Sequence, residues 1–133
     1  MPARIAIVGS RKLPAEDARR VIFNGVASTP ADAVIVSGGA RGPIRSRFAS
    51  ADREAARAAA FYRRALDVLE ADWDGEGKRA GFIRNVRIVE TLCNAGDRLV
   101  AVWDGVSHGT HHVVTESRAA GVPTRVIVLR GGP

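Results

Sequence analysis

Four loops of this sequence gather glycine together with hydroxyl, basic or acidic side chains. They are Gly9-Ser10-Arg11, Ser37-Gly38-Gly39-Ala40-Arg41-Gly42, the acidic stretch Asp72 to Lys78, and Asp104-Gly105-Val106-Ser107-His108-Gly109-Thr110. The chemistry this favours is anion capture. Glycines let backbone approach an anion and turn successive N–H groups toward one cluster of oxygens. A helix amino end directly after such a loop adds unpaired N–H donors and the positive end of a dipole. Ser107 to Thr110 fits this pattern, with two hydroxyls flanking the expected first turn of a helix. Gly38, Gly39, Gly42, Gly105 and Gly109 could equally serve as tight strand-to-helix turns. Neither the dinucleotide fingerprint G-x-G-x-x-G nor the P-loop G-x-x-x-x-G-K-[ST] is present.

Other side chains have competing readings. Hydrolysis would need a carboxylate general acid or base, for which Asp104, Asp74 and Glu116 are the candidates. Ser10, Ser37 and Ser107 lack the G-x-S-x-G nucleophile elbow. His108, His112 and Glu116 recur every four residues, but His108 is expected to precede the first full helical turn, so no metal site is assigned. His111 should face solvent. Asp72, Asp74 and Glu76 could hold Mg²⁺ beside a phosphate; the plainer reading is a solvated turn in which Asp72 or Asp74 pairs with Arg79 or Arg84. Trp73 and Trp103 could stack on a base, although wide apolar groups at strand ends more often cap a core.

The elements that must position these loops are legible from hydrophobic pattern. Branched aliphatic runs at Arg4 to Val8, Ala33 to Val36, Leu66 to Leu69, Leu99 to Trp103 and Arg125 to Leu129 are mostly continuous, as in parallel strands covered on both faces. Helical segments lie between them. One starts at Leu13 to Asp17, with proline and acids in its first turn, and lines Ala18, Val21, Ile22 and Val26 on one face. A second starts near Ser50 or Asp52 and runs through an alanine-rich stretch. A third spans Ala80 to Cys93 with Phe82, Val86, Val89 and Cys93 facing the core. A fourth runs from about Thr110 to Ala120 and stops at Gly121, with Pro123 beyond. Strands alternating with helices predict an α/β fold with a doubly wound, mainly parallel five-stranded sheet and helices on both faces. In such a sheet, ligands bind outside the carboxyl ends of the strands. All four glycine loops follow strands.

Composition agrees. The chain has 133 residues, 46% hydrophobic and 26% charged, which excludes a largely disordered protein and suits one domain over 1–133 with its core at about 4–129. Aromatics are 5%, so the core must be built from Val, Ile, Leu and Ala. One cysteine, Cys93, excludes an internal disulfide and a multi-cysteine zinc site, and suits the cytoplasm. No signal pattern opens the chain, and no apolar run is long enough to cross a bilayer. The net charge of +6 is almost all arginine, which suits phosphate or carboxylate ligands and equally a GC-rich genome.

The order GSR, SGGARG, ADWD…GK.AG..RN and WDG.S.GT resembles the small bacterial and phage proteins of the DUF2493 group, within the SLOG superfamily. The superfamily also holds the LOG cytokinin-activating phosphoribohydrolases and the DNA-processing protein DprA. The likeness runs from Gly9 to about Pro123. It implies a Rossmann-like sheet and a pocket for a nucleotide or nucleotide derivative. Its pocket residues would be Gly9, Ser10, Arg11, Ser37, Gly38, Gly39, Arg41, Arg84, Asn85, Asp104, Gly105, Ser107, Gly109 and Thr110. In relatives an aspartate follows the SGGARG glycine almost at once; here a longer basic stretch from Pro43 to Ala51 intervenes before Asp52, either a lid or a variable loop. The LOG enzymes carry a glutamate three residues after their threonine, and that position here is Val113.

The expected partner is therefore a nucleotide-derived small molecule, sensed, sequestered or hydrolysed at the sheet's carboxyl edge. A nucleotide-processing hydrolase of N-glycosidic or phosphate-ester bonds is the first alternative. A single-stranded nucleic-acid module is the second, disfavoured because the basic residues are dispersed rather than clustered with aromatics. No cofactor is required beyond Mg²⁺ accompanying a phosphate. No membrane partner is expected, and self-association into a homo-oligomer is left open.

Overall fold

The computed structural model describes residues 1–39 and 47–130. Five parallel strands form the main sheet: β1 (Arg4–Gly9), β3 (Val34–Ser37), β5 (Ala65–Val68), β6 (Arg98–Trp103) and β7 (Thr124–Val128), in the order β5-β3-β1-β6-β7. Two short strands, β2 (Leu13–Pro14) and β4 (Phe48–Ala49), pair antiparallel beside it. The helices are α1 (Ala15–Ala27), α2 (Ala51–Phe61), the single turn α3 (Trp73–Glu76), α4 (Ala80–Glu90) and α5 (His108–Ala119). The expected doubly wound α/β sheet is what forms, and it is Rossmann-like.

Alternation along the strands sends residues to two cores. Ile5, Ile7, Ile35 and Val102 meet Ala18, Ile22 and Val26 of α1 and Ala51, Ala55, Ala58 and Ala59 of α2. The α2 alanines let that helix lie close to the sheet, which is how a core poor in aromatics fills its space. On the other face Ala6, Val8, Val36, Leu99 and Ala101 meet Ile88 and Val89 of α4 and Val113 and Val114 of α5. Winding reverses between β1 and β6, so the loops after these strands flank the switch point where α/β sheets hold ligands. Gly9 makes that junction possible. A Cβ there would lie 1.9 Å from the Val102 carbonyl oxygen and 2.9 Å from Ala51 Cβ, so no side chain fits between β1, β6 and α2.

Some local expectations need correction. The α4 helix ends at Glu90, three residues short of Cys93, which is exposed rather than in the core. Its buried face is Ala80, Asn85, Ile88 and Val89, and Phe82 is turned outward. Asp72 accepts from the Gly75 N–H and caps α3, while Glu76 pairs with Arg87 at 3.3 Å; the expected pairing of Asp72 or Asp74 with Arg79 or Arg84 is not seen among the described residues. Trp73 is 52% exposed and does not cap the core. The α5 helix begins at His108, two residues before the expected start. Ser50 is the N-cap of α2, accepting from the Arg53 N–H, as its type suggests. Among the described residues no helix is long and apolar enough to cross a membrane.

Candidate functional site

A cleft of about 460 Å³ opens at the carboxyl edge of the sheet, within the size range of small-molecule sites. Its walls come from β1 and the loop after it, the segments after β3 and β6, the start of α2, Trp73 of α3, and the cleft-facing sides of α4 and α5. A smaller hollow of about 320 Å³ adjoins it, sharing Arg11, Gly38, Trp73 and Arg84 and adding Gly39 and Glu70.

At the switch point three hydroxyls meet. Ser10 Oγ lies 2.7 Å from Ser107 Oγ and 3.4 Å from Thr110 Oγ1, and Ser107 Oγ lies 3.1 Å from Thr110 Oγ1. The Asp104 N–H donates to Ser10 Oγ at 3.0 Å, tying β1 to the loop after β6. Ser107 is the N-cap of α5, yet its hydroxyl makes no capping bond because it turns to Ser10 and Thr110. The first-turn N–H groups of α5 thus keep their capacity for an anion. Gly109 sits inside this first turn, not at the tight turn considered from sequence. It lacks a left-handed φ, and a Cβ on it would meet nothing within 4 Å, so the glycine leaves open space at the helix mouth.

Arg84 of α4 lines the same cleft. Its Nη1 donates to the Gly38 carbonyl at 2.5 Å and its Nε to Asn85 Oδ1 at 3.1 Å. Burial lowers its pKa most, with Arg11 acting in the same direction and the Asp52 carboxylate opposing. Asn85 is buried and clamps α4 to α5, its Nδ2 lying 3.2 Å from the Gly109 carbonyl and 3.3 Å from His112 Nδ1. Asp52, 6% exposed, opens α2 and reaches the cleft beside Arg84. The two meet over Gly38, where an added Cβ would lie 2.5 Å from Arg84 Nη1 and 3.1 Å from Asp52 Oδ2. Among the described residues, Arg11, Lys12, Lys78 and Arg84 line the cleft with the carboxylates Asp52 and Asp104.

Asp104 is committed to its own loop. Its Oδ1 accepts from the N–H groups of Val106 at 2.9 Å and Ser107 at 2.8 Å. Burial pushes its pKa up, but these bonds and the hydroxyls of Ser107 and Ser10 outweigh it and hold the carboxyl below its ordinary range. The ionised form therefore stabilises the fold at neutral pH, and this contribution is lost as pH falls through the lowered folded value. Acid unfolding of the wild type should accordingly be steeper below about pH 4 than that of Asp104→Asn. Parallel pH profiles of the two denaturation midpoints would contradict the assignment.

Of the residues singled out from sequence, Gly9, Ser10, Arg11, Gly38, Arg84, Asn85, Asp104, Ser107, Gly109 and Thr110 line the main cleft, and Gly39 lines the adjoining hollow. Ser37 and Gly105 support from behind. Ser37 Oγ accepts from the Gly39 N–H at 3.3 Å, and Gly105 takes a φ of +89° in the Asp104 turn. Arg41 and the Pro43 to Ser46 part of the insertion lie outside the described residues. Among the catalytic candidates, Asp74 and Glu116 are not among the lining residues; Glu116 Oε1 faces His112 Nε2 at 3.6 Å. No group of three or more His, Cys, Asp or Glu able to hold a metal ion occurs among the described residues, and His108, now the first residue of α5, is exposed. Lys12, Asp52 and Phe82 line the cleft without having been site candidates; Trp73, weighed as a base-stacking group or a core cap, and Lys78, at the end of the acidic stretch, line it too. The helix-opening position of Asp52 after a glycine loop was the available signal.

Fold and cleft together define a Rossmann-like α/β protein with a basic, hydroxyl-lined cleft at its switch point. The chain is 32% identical over 126 residues to the Gene 61 protein of Mycobacterium phage D29, a match covering 90% of this chain and 92% of the phage protein. It belongs to the family of that protein. No family model matches the chain, and no solved structure matches it.

Proposed function

We propose that this protein binds a nucleotide or nucleotide-derived phosphate in the switch-point cleft and holds it without cleaving it. The observation that carries this reading is the N-cap of α5: Ser107 leaves the first-turn N–H groups uncapped while joining its hydroxyl to Ser10 and Thr110. A phosphate there meets backbone donors, hydroxyls and the dipole's positive end, with Arg84 and Arg11 in the same cleft. The likeness to the SLOG superfamily in the GSR, SGGARG and WDG.S.GT elements points the same way. Thr110→Ala should weaken phosphate-bearing ligands about tenfold or more by calorimetry, since hydrogen bonds to charged groups contribute about 1.5–3 kcal/mol. Unchanged affinity would place the anion elsewhere.

The binding-only reading follows from the carboxylates. Asp104 holds its own loop, Glu116 faces His112, and buried Val113 lines the cleft where the LOG enzymes carry their acid. Incubation with AMP should therefore release adenine no faster than the uncatalysed background. Turnover abolished by Asp52→Asn would instead make Asp52 the general base and the protein a hydrolase.

A further inference from the structure

Trp73 and Phe82 are 52% and 48% exposed, unusual for side chains of their size. Other exposed large apolar residues, such as Phe61, Leu66, Val106 and Val128, do not line the cleft; these two do. Both are braced from behind. Trp73 lies on Gly81, where an added Cβ would come within 3.3 Å of the indole Cη2, and the Asp72 cap fixes the turn that carries it. Phe82 packs on the ring of His112, with centroids 4.4 Å apart and planes at 44°, and His112 is in turn held by Asn85 and Glu116. Trp73 also lines the adjoining hollow, so its ring borders both compartments beside Arg11 and Arg84.

A braced aromatic wall next to a cationic, hydroxyl-lined anion cradle suits a ligand that is planar and aromatic at one end and anionic at the other. We infer that Trp73, with Phe82 beside it, is the stacking platform for the nucleobase of the bound nucleotide. This rests on the nucleotide reading of the cleft and adds to it the site that selects base-bearing ligands over sugar phosphates. Stacking tolerates any base, because every base has a π-face. Selectivity at this wall is therefore for the presence of a base and for its stacking area, purine above pyrimidine.

The test compares AMP, UMP and ribose 5-phosphate by calorimetry and tryptophan fluorescence on the wild type, Trp73→Ala and Trp73→Phe. AMP should bind the wild type more tightly than UMP, and both more tightly than ribose 5-phosphate. Trp73→Ala should weaken AMP about tenfold or more and leave ribose 5-phosphate unchanged. Trp73→Phe should restore most of the AMP affinity while abolishing the fluorescence quench that AMP causes in the wild type. An AMP to ribose 5-phosphate affinity ratio untouched by Trp73→Ala overturns the stacking platform and leaves the phosphate cradle standing. Binding of none of the three probes overturns both.

Discussion

Arg84→Ala should cost two to three orders of magnitude in affinity for a phosphate-bearing nucleotide. Arg84 lines the cleft with the first turn of α5, its Nε on Asn85 and its Nη1 on the Gly38 carbonyl, so its guanidinium is fixed before any ligand arrives. Truncating one partner of a buried, hydrogen-bonded charge pair typically costs about 2–5 kcal/mol, because the other charge is left unmatched. Here the ligand's charge loses its match, and the cleft loses the cation on which the Asp52 carboxylate of α2 acts. Arg84→Lys should recover only part of the loss, since an ammonium keeps the charge without the planar fork. The unliganded fold should weaken by about 1–3 kcal/mol as the Gly38 carbonyl and Asn85 lose a donor. Affinity within a factor of two of wild type in Arg84→Ala would remove this residue from the site.

Gly109→Val should abolish nucleotide binding while leaving the empty protein as stable as before. Gly109 lies in the first turn of a twelve-residue helix, lines the cleft, and has no atom within 4 Å of where a Cβ would stand. Valine is slightly better than glycine in a helix, so the backbone gains a few tenths of a kcal/mol at most. Its side chain would occupy the space through which an anion reaches the α5 N–H groups. Gly9→Val offers the contrast. With the Val102 carbonyl oxygen 1.9 Å from the added Cβ, that change should damage the fold itself. A Gly109→Val protein that melts as the wild type does and still binds would show that this helix mouth is not used.

The sheet and most of the cleft were legible in the sequence because both rest on local signals. Continuous Val, Ile and Ala runs mark the central strands β1, β3 and β6 as buried, whereas the edge strands β5 and β7, expected to be covered on both faces, leave Leu66, Val68 and Val128 exposed; glycine with hydroxyls after the strands marks the edge where backbone must approach a ligand. Ser10, Ser107 and Thr110 converge because they follow the two strands that flank the switch point. What was illegible depends on tertiary placement. Apolar period alone turned the α4 helix so that Phe82 faced inward, whereas a buried polar residue, Asn85, occupies that face to clamp α5. Trp73 looked like a core cap at a strand end, but Asp72 starts a separate turn after β5 and carries it outward to the cleft. Asp52 was hidden by the long insertion before it, although α2 still begins at the sheet edge beside Gly38. Cys93 fell outside its helix because that helix stops at Glu90 and the chain turns at Gly96, which takes a φ of +91°.

Thermal unfolding against a ligand panel reports whether a nucleotide binds between the α5 amino end and Arg84. The panel holds mononucleotides, cyclic nucleotides, NAD and ADP-ribose, each run on the wild type, Gly109→Val and Arg84→Ala. A cognate ligand at a hundredfold excess over its Kd stabilises the folded state by about 2.7 kcal/mol. For a chain of this length that should raise the wild-type Tm by roughly 10 °C. At least one ligand should give such a shift, absent in Gly109→Val and strongly reduced in Arg84→Ala. No shift across the panel, or a clear shift that both variants retain in full, would contradict nucleotide binding at this site.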